Sequence, residues 1–217
     1  MTEIDTPAAP QEPVAHPLAR YLAESLAKRE RPTRILLLGI GSGRSVPVLL
    51  NAGAHVEALE EHAQRAREAR HRFAGDPRLR VTDGPYGGPY PIDGTFDAAL
   101  STHALLHGSP AAVAASIAAL RERLAVGALL FTTLGSKSDR RFGAGTRIAT
   151  DSFAPSDGAE AGVPHAYFDE DGVRALLRGF SLSALAENDA SRSAGRWAHS
   201  EDEAAGTVHW FVRALRT

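Results

Sequence analysis

Three glycines and one acid form the combination in this sequence that could bind a small ligand. Gly39, Gly41 and Gly43 stand at alternate positions, and Glu60 follows at the end of the next apolar run. Glycines let the backbone turn sharply and approach a ligand where a Cβ would collide. An acid roughly 20 residues past the first glycine lies where carboxylates accept hydrogen bonds from a ribose. The spacing therefore indicates a site for an adenosine-containing cofactor, with a purely structural turn as the alternative.

The segments on either side of the glycines support this interpretation. Residues 35–38 are a continuous apolar run, which predicts a strand buried on both faces of a parallel sheet. Residues 45–52 predict a helix, and residues 55–59 predict a second strand that ends at Glu60. Strand, glycine turn, helix, strand and acid together are typical of one half of a nucleotide-binding fold.

The glycine spacing also discriminates between adenosine cofactors. Dinucleotide sites prefer G-x-G-x-x-G, with the pyrophosphate on the helix N-terminus. Here the pattern is G-x-G-x-G, and Arg44 occupies the place of the third small residue. Because a bulky arginine is difficult to pack between helix and strand, a nicotinamide oxidoreductase is the less favoured interpretation.

Composition excludes several other classes of function. The chain has 217 residues, a formal net charge of −2 and no cysteine. This length suits one α/β domain, and the small charge argues against nucleic acid as a partner. The missing cysteine excludes disulfides, thiolate metal sites and a cysteine nucleophile. His103 and His107 lack the acid that accompanies a zinc-protease histidine pair, so we expect no metal.

The N-terminus and the hydropathy of the sequence indicate where in the cell the protein is located. No apolar stretch approaches the length of a membrane span, and the N-terminus lacks the pattern of a signal peptide. We therefore expect a cytoplasmic protein without a membrane partner. Residues 1–15 are polar and proline-rich, which predicts a disordered tail. Residues 16–217 are expected to form a single domain.

The rest of the chain alternates helices and strands. Helices are predicted at 16–29, 61–73, 110–124 and 169–178, and strands at 78–82, 96–101, 128–134, 180–187 and 207–214. This alternation is typical of an α/β doubly wound sheet, which binds ligands at the carboxyl ends of its strands. Ser101 and His103 follow the fourth strand at that edge. His103 is a candidate general base, or alternatively it packs on the adenine or bonds the backbone.

Regular periodicity stops after the fifth strand. Residues 135–165 are rich in small and polar side chains and contain Lys137, Arg140, Arg141 and Arg147. An irregular segment of this length is uncommon in a compact domain unless it is disordered or functional. We expect it to fold over the ligand edge as a basic lid.

The sequence resembles the class I S-adenosylmethionine-dependent methyltransferases in its glycine motif, and the tellurite-resistance-type members in its lid. The lid resemblance lies in DRRFGAGTRI, SFAP and VPHAYFDEDGVRALL. The positions that match are Arg141, Phe142, Gly143, Gly145, Ile148, Ser152, Phe153, Pro164, His165 and Phe168. One position departs from the family pattern, because Leu37 stands where an acid usually precedes the first glycine.

This resemblance implies a seven-stranded, mostly parallel sheet whose last strand runs antiparallel, and S-adenosylmethionine as the cofactor. The three glycines would lie under its methionine and ribose, and Glu60 would accept from the ribose hydroxyls. Asp83 and Gly84, after the third strand, would contact the adenine. Ser101 would lie near the sulfonium.

The acceptor is expected to be a small molecule, either anionic or electron-rich, held beneath the lid. Its candidate contacts are Arg141, Arg147, His165 and Tyr167, with His165 as a possible base and Tyr21 reaching over from the first helix. Methyl transfer is an in-line displacement, so the protein chiefly positions the reactants and excludes water. Alternatively, salt bridges within the lid occupy its arginines. Leu37 favours a different function, a cofactor-binding module without transferase activity.

Overall fold

The computed structural model describes residues 14–158, 160–190 and 205–217. The predicted N-terminal tail therefore lies outside the described residues, except for positions 14 and 15. So does most of the connection between the last two strands. No helix in the described ranges is both long and apolar enough to cross a membrane.

Five helices and ten strands make up the described part of the chain. The helices are α1 (Pro17–Leu26), α2 (Val46–Asn51), α3 (Ala63–Arg72), α4 (Pro110–Arg123) and α5 (Glu170–Leu176). The strands are β1 (Arg34–Leu38), β2 (His55–Glu60), β3 (Leu79–Asp83), β4 (Phe96–Ser101), β5 (Leu124–Ser136), β6 (Thr146–Ala149), β7 (Ser152–Ala154), β8 (His165–Phe168), β9 (Phe180–Asp189) and β10 (Val208–Arg216).

Seven of these strands form the central sheet, in the order β3-β2-β1-β4-β5-β10-β9. All pairs from β3 to β5 are parallel. Strand β10 runs antiparallel to both of its neighbours, β5 and β9. The predicted doubly wound, seven-stranded sheet with an antiparallel last strand is thereby confirmed.

The alternation of side chains along β1 divides the core into two layers. Leu36 and Leu38 pack in the cluster that contains residues of α4 and α5. Ile35 and Leu37 face the other way, into the cluster formed with α1 and α2. Since side chains alternate across a strand, both faces of β1 are apolar, which explains its continuous hydrophobic run.

The prediction of an irregular segment at 135–165 was wrong, because this segment contains strands β6 and β7 and ends at the first residue of β8. Strand β5 continues to Ser136 rather than ending at residue 134, and β6, β7 and β8 pair antiparallel after it. Gly135 pairs with both His209 and Tyr167, so β8 extends the sheet beyond the end of β4. Strands of three or four residues are too short to show a sequence period, so the pattern missed them.

His16 caps the N-terminus of α1, where its Nδ1 accepts a hydrogen bond of 3.2 Å from the backbone N–H of Leu18. The predicted apolar stripe of Leu18, Leu22 and Leu26 is buried against the sheet. Helix α1 therefore covers one face of the sheet, and its N-terminus places His16 near the carboxyl ends of the strands.

An acid introduced at position 37 should destabilise the fold. Leu37 is 1% exposed within an apolar cluster. An unpaired carboxylate there should cost about 3 to 5 kcal/mol of unfolding free energy. Urea denaturation of Leu37→Asp measures this, with Leu37→Met as the control expected to lose less than about 1.5 kcal/mol. If Leu37→Asp were as stable as the wild type, the apolar cluster would accommodate a carboxylate at this position.

Candidate functional site

The glycine turn lies at the crevice where β1 is flanked by β2 and β4. Its three glycines all have left-handed φ values of 76° at Gly39, 52° at Gly41 and 74° at Gly43. A Cβ on Gly39 would lie 2.7 Å from that of Ala104, so close packing requires glycine there. A Cβ on Gly41 would meet no described atom within 4 Å. Gly41 is therefore the position at which this backbone faces open space.

Glu60 is turned towards this same loop. Its Oε2 accepts from the backbone N–H of Gly41 at 3.3 Å, and its Oε1 accepts from the N–H of His62 at 3.1 Å. The side chain is almost completely buried. The predicted ribose-binding acid and the glycine turn are thus brought together, with the carboxylate held by backbone donors.

Tyr86 also contacts this carboxylate, and the sequence analysis missed it. Its hydroxyl donates to Glu60 Oε1 over 3.4 Å. Burial, followed by the negative charge of Glu60, raises the pKa of Tyr86, so the phenol remains protonated. A ribose that binds Glu60 must share or displace this weak hydrogen bond. The segment that carries Tyr86 lacks periodicity, so only the folded chain shows its position.

The other predicted cofactor residues lie along the same edge. Asp83 pairs in register with Glu60, and its carboxylate forms an ion pair with Arg70. The N–H of Gly84 donates to the Glu60 carbonyl at 3.1 Å. Ser101 pairs with Leu38, next to the glycine turn, and its buried hydroxyl has no hydrogen-bond partner among the described residues. Buried hydroxyls in proteins are normally satisfied, so this one fits a site completed by a ligand.

Three histidines from distant parts of the chain meet beside the turn, and we call His16, His103 and His209 the histidine cluster. The rings of His16 and His103 lie 5.3 Å apart, and those of His103 and His209 lie 5.0 Å apart. His103 has a left-handed φ of 64°, and its N–H donates to Thr133 Oγ1 at 2.8 Å. A non-glycine residue in this conformation is uncommon and often marks a functional site.

Burial keeps the histidine cluster neutral. It lowers the pKa of His16 to about 3 and that of His209 to about 4, and it lowers the pKa of His103 well below its ordinary value. The positive charge of Arg44 further lowers the pKa of His16 and of His103. In the sequence, Arg44 stood out only as a poor fit to a dinucleotide motif, and no feature assigned His209 to a site. The structure brings both towards His103.

A second group, which we call the lid cluster, consists of His107, Asp139, Arg141, Glu160 and His165. Arg141 donates from Nε to Asp139 at 3.2 Å and from Nη1 to Glu160 at 3.0 Å. Burial alone would lower the pKa of Arg141, but Asp139 and Glu160 raise it. The neighbouring His107 and His165 imidazoles hold the pKa of Glu160 below its ordinary value. Asp139 also accepts from the N–H of Val208 at 2.9 Å, which ties the lid to β10.

Ion pairs occupy two of the predicted basic residues of the lid, Lys137 and Arg141. The Nζ of Lys137 lies 3.0 Å from a carboxylate oxygen of Asp151 and 3.0 Å from one of Asp169. Arg141 forms the ion pairs described above. The alternative interpretation, that salt bridges within the lid occupy its cations, therefore describes Lys137 and Arg141. Positive charge on these residues does not by itself indicate an anionic acceptor.

The three other residues predicted to contact the acceptor differ in their burial. Tyr167 is buried, and its hydroxyl has no hydrogen-bond partner among the described residues. Arg147 is exposed on β6 and donates to the carbonyl of Ala149 at 3.4 Å. Tyr21 is 55% exposed on α1, whereas His16 at the start of that helix is fully buried beside His103. The structure thus brings His16, rather than Tyr21, to the site.

Comparison with known proteins supports the fold. No family model matches the chain. It is 34% identical over 143 residues to a protein-L-isoaspartate O-methyltransferase from Methylorubrum populi. That match covers 64% of this chain and 62% of the relative, so the chain spans about three fifths of the curated relative's length.

Solved structures resemble nearly the whole chain. A methyltransferase of Methanosarcina mazei described as S-adenosylmethionine-dependent is 16% identical, with a TM-score of 0.71 over 94% of this chain and 98% of the other. An amino pentose methyltransferase of Micromonospora echinaspora, solved with S-adenosylmethionine, is 22% identical, with a TM-score of 0.61 over 92% and 90%. A Burkholderia thailandensis N1-methyltransferase, solved with 1,6-didemethyltoxoflavin and S-adenosylhomocysteine, is 20% identical, with a TM-score of 0.63 over 93% and 77%.

The chain therefore has the fold of the class I S-adenosylmethionine-dependent methyltransferases, as its sequence predicted. None of these proteins is described as a tellurite-resistance enzyme, so that closer relationship stays a resemblance. The distribution of site residues is consistent with the fold, because Gly41, Glu60, Asp83 and Ser101 all lie at the carboxyl ends of the central strands.

Neutral buried histidines make stability sensitive to acid. The unfolded chain binds protons below about pH 6.5, whereas the folded histidine cluster stays neutral down to about pH 4 or lower. The free energy of unfolding should therefore fall with pH in this window, by about 1.4 kcal/mol per unit for each histidine. Urea denaturation between about pH 7 and pH 5 measures the slope. His209→Gln should give a shallower slope, and an unchanged slope would contradict the assignment.

Proposed function

We propose that this chain transfers a methyl group from S-adenosylmethionine to a small-molecule acceptor. One observation carries the proposal: the Glu60 carboxylate is held against the N–H of Gly41, at the point where the glycine turn faces open space. A buried carboxylate beside such a turn matches the recognition of a ribose by its two hydroxyls. The 34% identity to a methyltransferase and the shared fold support it.

The cofactor would extend along the carboxyl ends of β1, β2 and β3. Its ribose would lie against Glu60, with Asp83 and Gly84 on the adenine side and Ser101 on the methionine side. The Asp83 carboxylate already pairs with Arg70, which leaves its second oxygen to accept from the adenine amino group. The Ser101 hydroxyl would gain the partner that it lacks among the described residues.

The acceptor would lie between the histidine cluster and the lid cluster. In the transfer, a lone pair of the acceptor attacks the methyl carbon in line with the breaking S–C bond. The bonding electrons go to sulfur, so the cationic sulfonium becomes a neutral thioether. A proton released by a neutral acceptor passes to a base or to water. The protein contributes mainly alignment and exclusion of water.

The histidine cluster fits an orienting role better than that of a strong base. A general base works best when its pKa lies near the working pH, and the pKa of His103 lies well below its ordinary value. A neutral imidazole still offers one donor and one acceptor, which can orient an amine or hydroxyl of the acceptor. His165 directs both ring nitrogens to Val163 and Glu160, so in this arrangement it does not face an acceptor as a free base.

Two other functions need separate tests. The Methylorubrum populi relative is named for isoaspartate in protein, which makes an isoaspartyl carboxylate a second candidate acceptor. A module that binds the cofactor without transfer is the other candidate, because Leu37 replaces the usual acid and lies in the apolar core. Release of S-adenosylhomocysteine with small amines, phenols or an isoaspartyl peptide separates these functions. Tight cofactor binding without release from any acceptor would favour the module.

Removing the charge of Glu60 should weaken cofactor binding. Hydrogen bonds to a charged group are worth about 1.5 to 3 kcal/mol, so Glu60→Gln should raise the dissociation constant of S-adenosylhomocysteine about 10- to 100-fold. Isothermal calorimetry measures this, and Glu68→Gln on the exposed face of α3 is the matched control. Equal affinities for wild type and Glu60→Gln would remove the main support for the cofactor site.

Replacing the His103 ring should affect the acceptor rather than the cofactor. Asparagine tolerates the left-handed backbone, so His103→Asn keeps the turn and removes only the imidazole. With the acceptor found in the screen, kcat/KM should fall about 10- to 100-fold, as expected for misaligned reactants. The dissociation constant of S-adenosylhomocysteine should stay within about threefold of wild type. An unchanged kcat/KM would show that this ring does not orient the acceptor; exposed His71→Asn serves as the control.

A further inference from the structure

We propose that His107, Glu160 and His165 bind a divalent transition-metal ion of the zinc class. Their potential ligand atoms all lie within 4.8 Å of one another. Each Glu160 carboxylate oxygen faces one histidine, with Oε2 at 3.1 Å from His165 Nε2 and Oε1 at 3.5 Å from His107 Nε2. The sequence predicted no metal, because His103 and His107 lack an acid close to them in the chain. Folding supplies the missing acid from a different segment.

The backbone holds the two histidines opposite each other. His107, in the loop after β4, forms an antiparallel bridge with His165 at the start of β8. The N–H of Gly108 donates to the carbonyl of Pro164 at 2.7 Å, and the N–H of Ala166 donates to that of Leu106 at 2.8 Å. The two rings lie 5.0 Å apart. The positions of the ligands thus follow from backbone pairing and do not depend on the metal.

The hydrogen bond between His165 and Val163 indicates that a cation lies between His165 and Glu160. The Nδ1 of His165 lies 2.8 Å from the carbonyl of Val163, which can only accept, so Nδ1 carries a proton. In the neutral ring, Nε2 then directs a lone pair at the Glu160 carboxylate. Two lone pairs repel unless a proton or a metal ion lies between them. A histidine that donates its other ring N–H to a carbonyl is the usual arrangement of a metal ligand.

The distances and ligand types favour a metal of the zinc class. In a tetrahedral site with bonds of about 2.0 to 2.1 Å, neighbouring ligand atoms are about 3.3 Å apart. The distances from the Glu160 oxygens to the nitrogens of His165 and His107, 3.1 Å and 3.5 Å, lie on either side of this value. Two imidazoles and a carboxylate suit zinc, cobalt, nickel or iron(II) rather than calcium or magnesium. Three protein ligands leave a fourth position, as in catalytic rather than structural zinc sites.

Arg141 is the group that opposes this assignment. Its Nη1 lies 3.0 Å from Glu160 Oε2, so it competes with the metal for the carboxylate. Arg141 has a second partner in Asp139, which keeps its charge compensated if Glu160 turns towards a metal. Because two positive centres near one carboxylate repel each other, removing the guanidinium should tighten metal binding.

Cobalt(II) provides the direct test, using the full chain freed of metal with a chelator. Wild type should bind one equivalent and develop the visible absorption of a four- or five-coordinate cobalt site. His107→Ala and Glu160→Gln should each weaken binding at least about 10-fold, since each removes a ligand. His71→Ala, which alters an exposed histidine on α3, should bind like wild type. Arg141→Gln should bind more tightly than wild type.

Two outcomes would overturn the proposal. Wild type that takes up no cobalt(II) or zinc(II) at micromolar concentration would show that a proton alone lies between His165 and Glu160. Equal binding by wild type, His107→Ala and Glu160→Gln would place the metal elsewhere on the chain. Circular dichroism of each variant verifies that it is folded. The readout is metal binding, so the result does not depend on whether the chain transfers methyl groups.

Discussion

The central constraint on this molecule is the position of β1 between β2 and β4. From β1 the chain continues to β2 and β3 on one side, and it then crosses to β4 and β5 on the other side. In α/β sheets, such a reversal of strand order leaves a crevice at the carboxyl ends of the strands. The glycine turn lines this crevice, and Glu60 reaches it from the adjoining end of β2. Ser101 reaches it from the end of β4. The candidate cofactor site is therefore a direct consequence of the strand order.

Burial governs the electrostatics on both sides of this crevice. Glu60 can remain in an almost fully buried position because backbone N–H groups donate to it. Burial outweighs the charges around the histidine cluster and lowers the pKa of each of its members, so the three rings are neutral.

The lid is an ordered part of the sheet rather than a loose basic flap. Strand β8 continues the pairing of β5, and Asp139 connects the lid to both Arg141 and β10. The ion pairs of Arg141 with Asp139 and Glu160 are only partly exposed. They fix the conformation of the lid, and the charge of Arg141 is compensated within it. The rings of Phe142 and Tyr167 also pack against each other, with their centroids 5.6 Å apart.

The sequence by itself determined the local features. The apolar run of β1, the glycine turn, the acid at the end of β2 and the stripe of α1 each depend on residues close together in the chain, so periodicity and spacing reveal them. The order of helices and strands then indicated the doubly wound fold. Only the tertiary structure decided which distant side chains meet. His16, His103 and His209, like His107, Glu160 and His165, come from separate elements, and their contacts depend on strand order and on short lid strands that carry no period.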